Sequence, residues 1–427
     1  MILGQSRTDR ARAPARVRAN RFAAILGALS AATLLLLPAS LRADVVSEWN
    51  AKAQALFDAE GIVSTPQARG LAMMHIAMFD AANATVRKYA PYVATTPDAP
   101  GASPEAAIHS AARHVLTELL PKQKGAIDAA YEAALAKLAD GPQKSAGIAA
   151  GQRAGAAILS ARKSDGFAGP NMYRPITKPG VYITTSLPIM SHAKDVKPFA
   201  LASADQFRPG PPPALNSPLW ARDYNETMRL GGAKSTERTS WQGETARFWV
   251  ISGADAWNQA TRALAAAKPL PLLDSARLYA HVNMAIFDSL LAIFEAKYRY
   301  EFWRPVTAIR NGDMDGNNAT ARDAEWRPLI ETPMHPEYPC AHCVVDGAAG
   351  AVLKSIFGEG PVPEFALRYA AMPGVTRSYK SIQQLEDEVA MARIWGGVHY
   401  RNSAEVGNAV GKLVGAYILA NTLRPLR

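Results

Sequence analysis

Apolar residues recur at i, i+3 and i+4 through long Ala- and Leu-rich windows such as Pro104–Leu120, Lys122–Ala139 and Lys144–Arg162, while alternating β-branched stretches are rare. A chain patterned in this way is expected to be all-α. Gly- and Pro-rich breaks at Ala90–Ala102, Gly166–Pro188, Pro209–Pro218 and Gly312–Pro339 divide the helices, and all but the third are long enough to serve a function or cover a surface. One repeat sets the architecture. Ala68-Arg69, Ala77 and Phe79-Asp80 return 208 residues later as Ala276-Arg277, Ala285 and Phe287-Asp288, with Leu71/Tyr279 and Ala72/Ala280 apolar in both copies. The expected fold is two related four-helix-type bundles packed together, at 44–245 and 246–427, with any ligand site among facing helices of the C-terminal bundle.

The net charge of +10 invites a nucleic-acid reading until the charge is located. Residues 1–43 hold seven arginines and one acid, leaving only +4 for the rest of the chain. Behind those arginines come an apolar run from Phe22 to Ala39 and the small-residue site Leu41-Arg42-Ala43. This order of basic, apolar and small is that of a cleaved secretory signal. The run of 18 residues also admits an uncleaved anchor. Either way the remainder is expected in a periplasm or medium, without a membrane span and without a nucleic-acid partner. Cys340 and Cys343 are too few for a disulfide framework.

Three segments in the second half carry chemistry. In the first, Lys297 and Arg304 stand seven apart, which on a helix puts both cations on one face about 10 Å apart along the axis. Pro305 ends that helix and biases Arg304 toward an extended conformation. In the second, His335-Pro-Glu-Tyr-Pro339-Cys340-Ala341-His342-Cys343 precedes a helical run, Val344–Phe357. Pro339 leaves the amides of Cys340 and Ala341 at a helix N-terminus, where unpaired N–H groups and the dipole favour an anion. In the third, Gly396-Gly397 breaks the helix carrying Arg393, and a new one is expected at Asn402, with Glu405 completing a capping box. His399 then sits on the connector, a suitable position for a catalytic group.

Together the segments resemble the type 2 phosphatidic acid phosphatase and vanadium-dependent haloperoxidase superfamily, whose motifs run K-x6-R-P, P-S-G-H and S-R-x5-H-x3-D. Lys297, Arg304 and Pro305 match the first; Pro339 and His342 the second; Arg393 and His399 the third. The flanking words Phe302-Trp303-Arg304-Pro305 and His335-Pro-Glu-Tyr-Pro339 look like the soluble, secreted bacterial haloperoxidase-like branch. The resemblance implies vanadate as cofactor, bonded to His399, or a phosphate attacked by it. It implies His342 as acid–base catalyst, and Lys297, Arg304, Arg393, Cys340 and Ala341 as the oxyanion cradle. Burying such an anion without cations would be prohibitive, and two of the three cations are arginines able to bind bidentately. His335 lies where the resembling bromoperoxidases carry a second histidine and the chloroperoxidases a phenylalanine, which favours bromide or iodide. Phe294, Trp395 and Glu405 are the other expected neighbours of the site or halide pocket.

Four positions depart from the motifs. Cys340 replaces a serine and Ala341 a glycine, Ala392 replaces the serine before Arg393, and Ser403 stands for the aspartate that would orient His399. Glu405 is the acid expected to stand in for it, unless it serves only as a cap. Thiols at 340 and 343 would be oxidised by peroxide and hypohalite, which weighs against robust peroxidase turnover but leaves the oxyanion site intact.

Four functions follow. The leading one is a haloperoxidase-like oxidoreductase using hydrogen peroxide and halide. The alternatives are a secreted acid phosphatase cleaving a phosphomonoester with His399 as nucleophile, a non-catalytic oxyanion-binding homologue, and a thiol–disulfide oxidoreductase built on Cys340-Ala-His342-Cys343. The last needs a βαβ context that the flanks do not offer. Asp313-Met-Asp315-Gly-Asn317 begins like a calcium loop, but Ala324 stands where a bidentate Glu is required, so an Asx-rich turn is expected.

Overall fold

The computed structural model describes residues 44–184 and 186–426; the expected export signal lies outside them. The first five helices are α1 (Val45–Ala59), α2 (Thr65–Val86), α3 (Pro104–Leu119), α4 (Lys124–Leu135) and α5 (Pro142–Arg162). Then come α6 (Pro218–Gly231), α7 (Ser240–Phe248), α8 (Gly253–Ala267), α9 (Leu272–Tyr300) and α10 (Pro305–Arg310). The chain ends with α11 (Ala341–Phe357), α12 (Ile382–Trp395) and α13 (Arg401–Asn421). A short antiparallel hairpin, β1 (Phe365–Arg368) with β2 (Thr376–Tyr379), was not foreseen and leaves the all-α class unchanged.

The two halves repeat one another in detail. Asp44 caps α1 by accepting from the amide of Ser47 at 2.8 Å, and Ser252, 208 positions later, caps α8 by accepting from Asp255 at 3.2 Å. Each cap satisfies an amide that the helix itself cannot. Trp49 of α1 donates its indole N–H to His109 of α3 at 2.8 Å, and the matching Trp257 of α8 donates to Asp346 of α11 at 2.7 Å. Asp80 of α2 accepts the amides of Tyr92 and Val93, while the matching Asp288 of α9 accepts those of Phe199, Ala200 and Leu201. Two of the long loops are therefore pinned to the core by equivalent acids.

Glycine sets the closest helix contacts. Gly147, Gly151 and Gly155 face α3 from α5, and Gly407, Gly411 and Gly415 face α11 from α13. A Cβ on Gly151 would strike the carbonyl oxygen of Ala107, and one on Gly411 that of Val344, so both pairs pack at backbone distance.

Between the halves runs α9. It is long enough, and over an 18-residue window apolar enough on average, to cross a membrane, yet that window is wholly buried by the elements around it. Full burial of a ring such as Phe287 on this helix contributes on the order of 2–3 kcal/mol. The seam also holds polar groups: Asn50 with Asn258 and His75, and Asn258 with Asn283. His75 stacks on Tyr279 with ring centroids 5.1 Å apart. Asp315 folds as an Asx turn, accepting from Asn317, Trp220 and Thr320.

Candidate oxyanion site

The last turn of α9 delivers Lys297, and the helix stops at Tyr300 because Glu301 adopts a left-handed conformation, φ 50°, with its amide on the carbonyl of Lys297. Phe302 then bridges to Val181, and Arg304 arrives extended, at φ −76° and ψ 155°, as the residue before Pro305 at the start of α10. Lys297 and Arg304 therefore do not share a helix face, as their spacing alone implies. The chain breaks between them, and each reaches the site from a different element.

The buried Lys297 ammonium donates to the carbonyls of Pro336 at 3.0 Å, Glu337 at 2.7 Å and Pro339, so it organises the loop ahead of α11. Arg304 holds the same loop and the α12–α13 connector together. Its Nε donates to the carbonyl of His335 at 2.9 Å, Nη1 to the carbonyl of Val398 at 2.8 Å, and Nη2 to Nδ1 of His335 at 2.9 Å. Nη1 also lies 3.2 Å from Nε2 of His399. Arg393, in the last turn of α12, donates Nη1 to the carbonyl of Trp249 at 2.6 Å. Its buried Nε has no partner among the described residues.

His342 lies in the first turn of α11 with Nε2 3.1 Å from the carbonyl oxygen of Ile251, and it keeps part of its surface accessible. His335 packs against the edge of Phe294, with ring centroids 5.1 Å apart. Cys340 departs from expectation: its amide is not open, because it donates to the carbonyl of Ser403 at 3.1 Å. Its sulfur caps α11 by accepting the Cys343 amide at 3.3 Å. The two cysteines are buried and joined as a disulfide, so neither is a free thiol, and loop and helix flank them without a βαβ unit. Ala341 is buried beside them at the start of α11.

The acid that orients His399 is not Glu405. Glu405 is exposed on α13, and the expected Asn402–Glu405 capping box does not form; Tyr400 is the cap residue, without a side-chain cap. The Asn402 amide donates instead to Asp223 at 2.8 Å. Nδ1 of His399 donates to Oε1 of Glu337 at 2.7 Å, and the same oxygen accepts the Tyr400 amide at 3.2 Å. Sequence reasoning missed Glu337 by seeking the acid near His399 in the chain. The available signal was a lone carboxylate in the segment His335–Pro339. Trp395 packs edge-on against Trp241 at 5.6 Å, and no polar contact joins it to the cluster among the described residues.

Burial governs the electrostatics. It pushes Lys297 well below the usual amine range, Arg304 down to about 10 and Arg393 down to about 9, with Arg304 adding repulsion at both Lys297 and Arg393. Burial and then the neighbouring cations hold His335, His342 and His399 well below the ordinary imidazole range, so all three are neutral at neutral pH. Glu337 is raised to about 7 by burial, against the pull of Lys297 and Arg304. With Nδ1–H committed to Glu337, His399 presents the lone pair of Nε2 on the side of Arg304. Lys297, Arg304 and Arg393 repel one another in this buried setting, and an oxyanion bound among them would favour the charged form of each. The unpaired Nε of Arg393 is a further donor for it. Among the described residues no group of three or more His, Cys, Asp and Glu is placed to hold a metal cation.

The family model described as the VCPO second helical-bundle domain matches residues 277–427, the stretch that contains Lys297, Arg304, His335, Glu337, His342, Arg393 and His399. The vanadium chloroperoxidase of Curvularia inaequalis is 26% identical over 195 residues, covering 39% of this chain and 32% of that protein. The match thus spans about a third of the relative's length. A bacterial vanadium-dependent iodoperoxidase shares the fold, with a TM-score of 0.77 at 24% identity over 90% of this chain and 97% of the other. A bacterial vanadium-dependent chloroperoxidase in its holo form follows, with a TM-score of 0.67 at 16% identity over 84% and 93%. Residues 277–427 thus match the second helical-bundle domain of the vanadium chloroperoxidases, and the described residues share the fold of the bacterial vanadium-dependent haloperoxidases.

Proposed function

We propose that this protein is an exported vanadate-dependent haloperoxidase that oxidises bromide or iodide with hydrogen peroxide. The observation that carries the reading is the convergence of Lys297, Arg304 and Arg393 around a neutral His399 whose Nδ1 is held by Glu337. His399 would hold vanadate through Nε2, with Arg304 and the Nε of Arg393 as donors to its oxygens and Lys297 holding the adjoining loop. When bound, vanadate supplies a Lewis-acidic centre that activates peroxide toward halide.

The remaining steps belong to the protein. Arg304 fixes the loop bearing His335 relative to the connector bearing His399, so both rings keep one geometry. His342 is neutral and partly accessible, which suits it to take a proton from peroxide and return it to a departing oxygen. His335 and Phe294 form one wall of the site, and the neutral His335 ring supports the preference for the larger halides.

The test is one purified sample assayed with and without orthovanadate, for halide oxidation with peroxide and for hydrolysis of a generic phosphomonoester. Vanadate-dependent bromination or iodination, lost in His399→Ala, is expected. Halide oxidation that survives His399→Ala would remove the assigned centre. Hydrolysis inhibited by vanadate, without halide oxidation, would instead establish the acid phosphatase reading, because a histidine oriented by a glutamate also suits a phosphate nucleophile.

A further inference from the structure

Glu337 ties three separated segments together through three different groups. Its carbonyl accepts the Lys297 ammonium at 2.7 Å, its amide donates to the carbonyl of Phe302 at 2.8 Å, and its carboxylate accepts both Nδ1 of His399 and the Tyr400 amide. The residue is fully buried. Ser403, at the motif's aspartate position, comes only to 3.4 Å from Nδ1 with its hydroxyl and carries no charge. The second oxygen of Glu337 has no partner among the described residues. Glu337 also borders a cavity of about 10 Å³ whose walls include the rings of Trp220, Phe302 and Tyr400.

We propose that Glu337 is the positioning residue of this site: the acid that orients the oxyanion-bonding histidine has moved from the position four after it to the loop ahead of α11. The move does more than replace one hydrogen bond. An acid at 403 would lie on the same short stretch of chain as His399 and fix the ring only relative to the adjoining first turn of α13. An acid at 337 fixes the ring relative to the loop that Lys297 and Arg304 hold, so the histidine and two of the cations share one frame. Glu337 also selects the tautomer, with the proton on Nδ1 and the lone pair on Nε2.

This inference rests on the reading of His399 as the oxyanion-bonding residue, and its test needs neither peroxide nor halide. Orthovanadate affinity is measured by titration for the wild-type protein, Glu337→Ala, Glu337→Gln and the double variant Glu337→Ala/Ser403→Asp. Loss of the orienting partner is expected to weaken binding ~10–100-fold in Glu337→Ala. Glu337→Gln keeps an acceptor and should lose less, and the acid returned to 403 should recover most of the loss. An unchanged affinity in Glu337→Ala, or no recovery in the double variant, would overturn the proposal. A second measurement uses the unaltered protein: ¹⁵N shifts of the His399 ring are expected to report a protonated Nδ1 and a bare Nε2, and the opposite tautomer would also overturn it. If wild-type protein fails to bind vanadate, the functional reading falls, while the ring tautomer still decides the role of Glu337.

Discussion

Asn50 donates its side-chain amide to the side-chain carbonyl of Asn258 at 2.6 Å, so the two halves of the chain meet through the same residue of each. Asn258 also pairs with Asn283, and Asn50 with His75, in a seam closed to solvent. Asn258→Ala strands the amides of Asn50 and Asn283, each at ~1–3 kcal/mol. Chemical denaturation should show a combined loss of about 2–6 kcal/mol by the same count. A loss below ~1 kcal/mol would mean that water replaces the missing partner.

The glycine stripes separate fold from site. Gly411→Ala drives a methyl group into the backbone of α11, and Gly151→Ala does the same to α3. Both should lower stability by about 1–3 kcal/mol, the usual scale of overpacking. Only Gly411→Ala should also weaken vanadate binding, because α11 and α13 flank His342 and His399 whereas α3 and α5 carry no site residue. Equal effects on binding from the two variants would break this assignment.

Much of this was legible in the sequence, for reasons that differ by residue. Helical periodicity predicted α3 and α5 nearly to their ends, and the Ala68/Ala276 repeat pointed to the pairing of α2 with α9. The deeper duplication escaped notice because it is written in caps and small residues: Asp44 and Ser252 differ in identity while doing the same job. The motif cations were found, since buried charge of one sign has few uses. Glu337 was missed because a hydrogen bond across 62 positions leaves no spacing to read. The hairpin at 365–379 was missed because four-residue strands carry too short a pattern.

Arg304→Lys tests the planar fork. One ammonium cannot reach the carbonyls of His335 and Val398 and the ring of His399 together. Turnover with vanadate, peroxide and bromide should fall ~10²–10³-fold, the scale for losing a preorganised donor. Far-UV circular dichroism should stay unchanged. Retention of more than about a tenth of wild-type kcat/KM would show that charge alone suffices at this position.

The share of stability that Asp80 and Asp288 contribute should fall as pH rises toward neutrality. Burial raises Asp80 to about 7 and Asp288 to about 6, above the unfolded carboxylate value of 3.8, even though each accepts backbone amides. A raised folded value means that the native state holds the proton more tightly. The stabilisation is therefore complete below about pH 4 and is lost as pH climbs through about 6 and then about 7. Buried neutral histidines act in the opposite sense over the same range, so the check is a difference: denaturation midpoints plotted against pH between these limits should rise more, or decline less, in Asp80→Asn than in the wild type. Identical slopes would show that Asp80 ionises freely within the fold.

The connector that carries His399 is gripped where side chains are missing. A Cβ on Gly397, at φ +75°, would meet the backbone of Gly231, and one on Gly231 would meet Gly397 and the carbonyl of Ile394. The reach of the reactive ring into its pocket is thus measured out by bare backbone against bare backbone, like a gauge block. In a survey of random variants, positions 231 and 397 should silence the protein as surely as 399 does, although neither can touch a substrate.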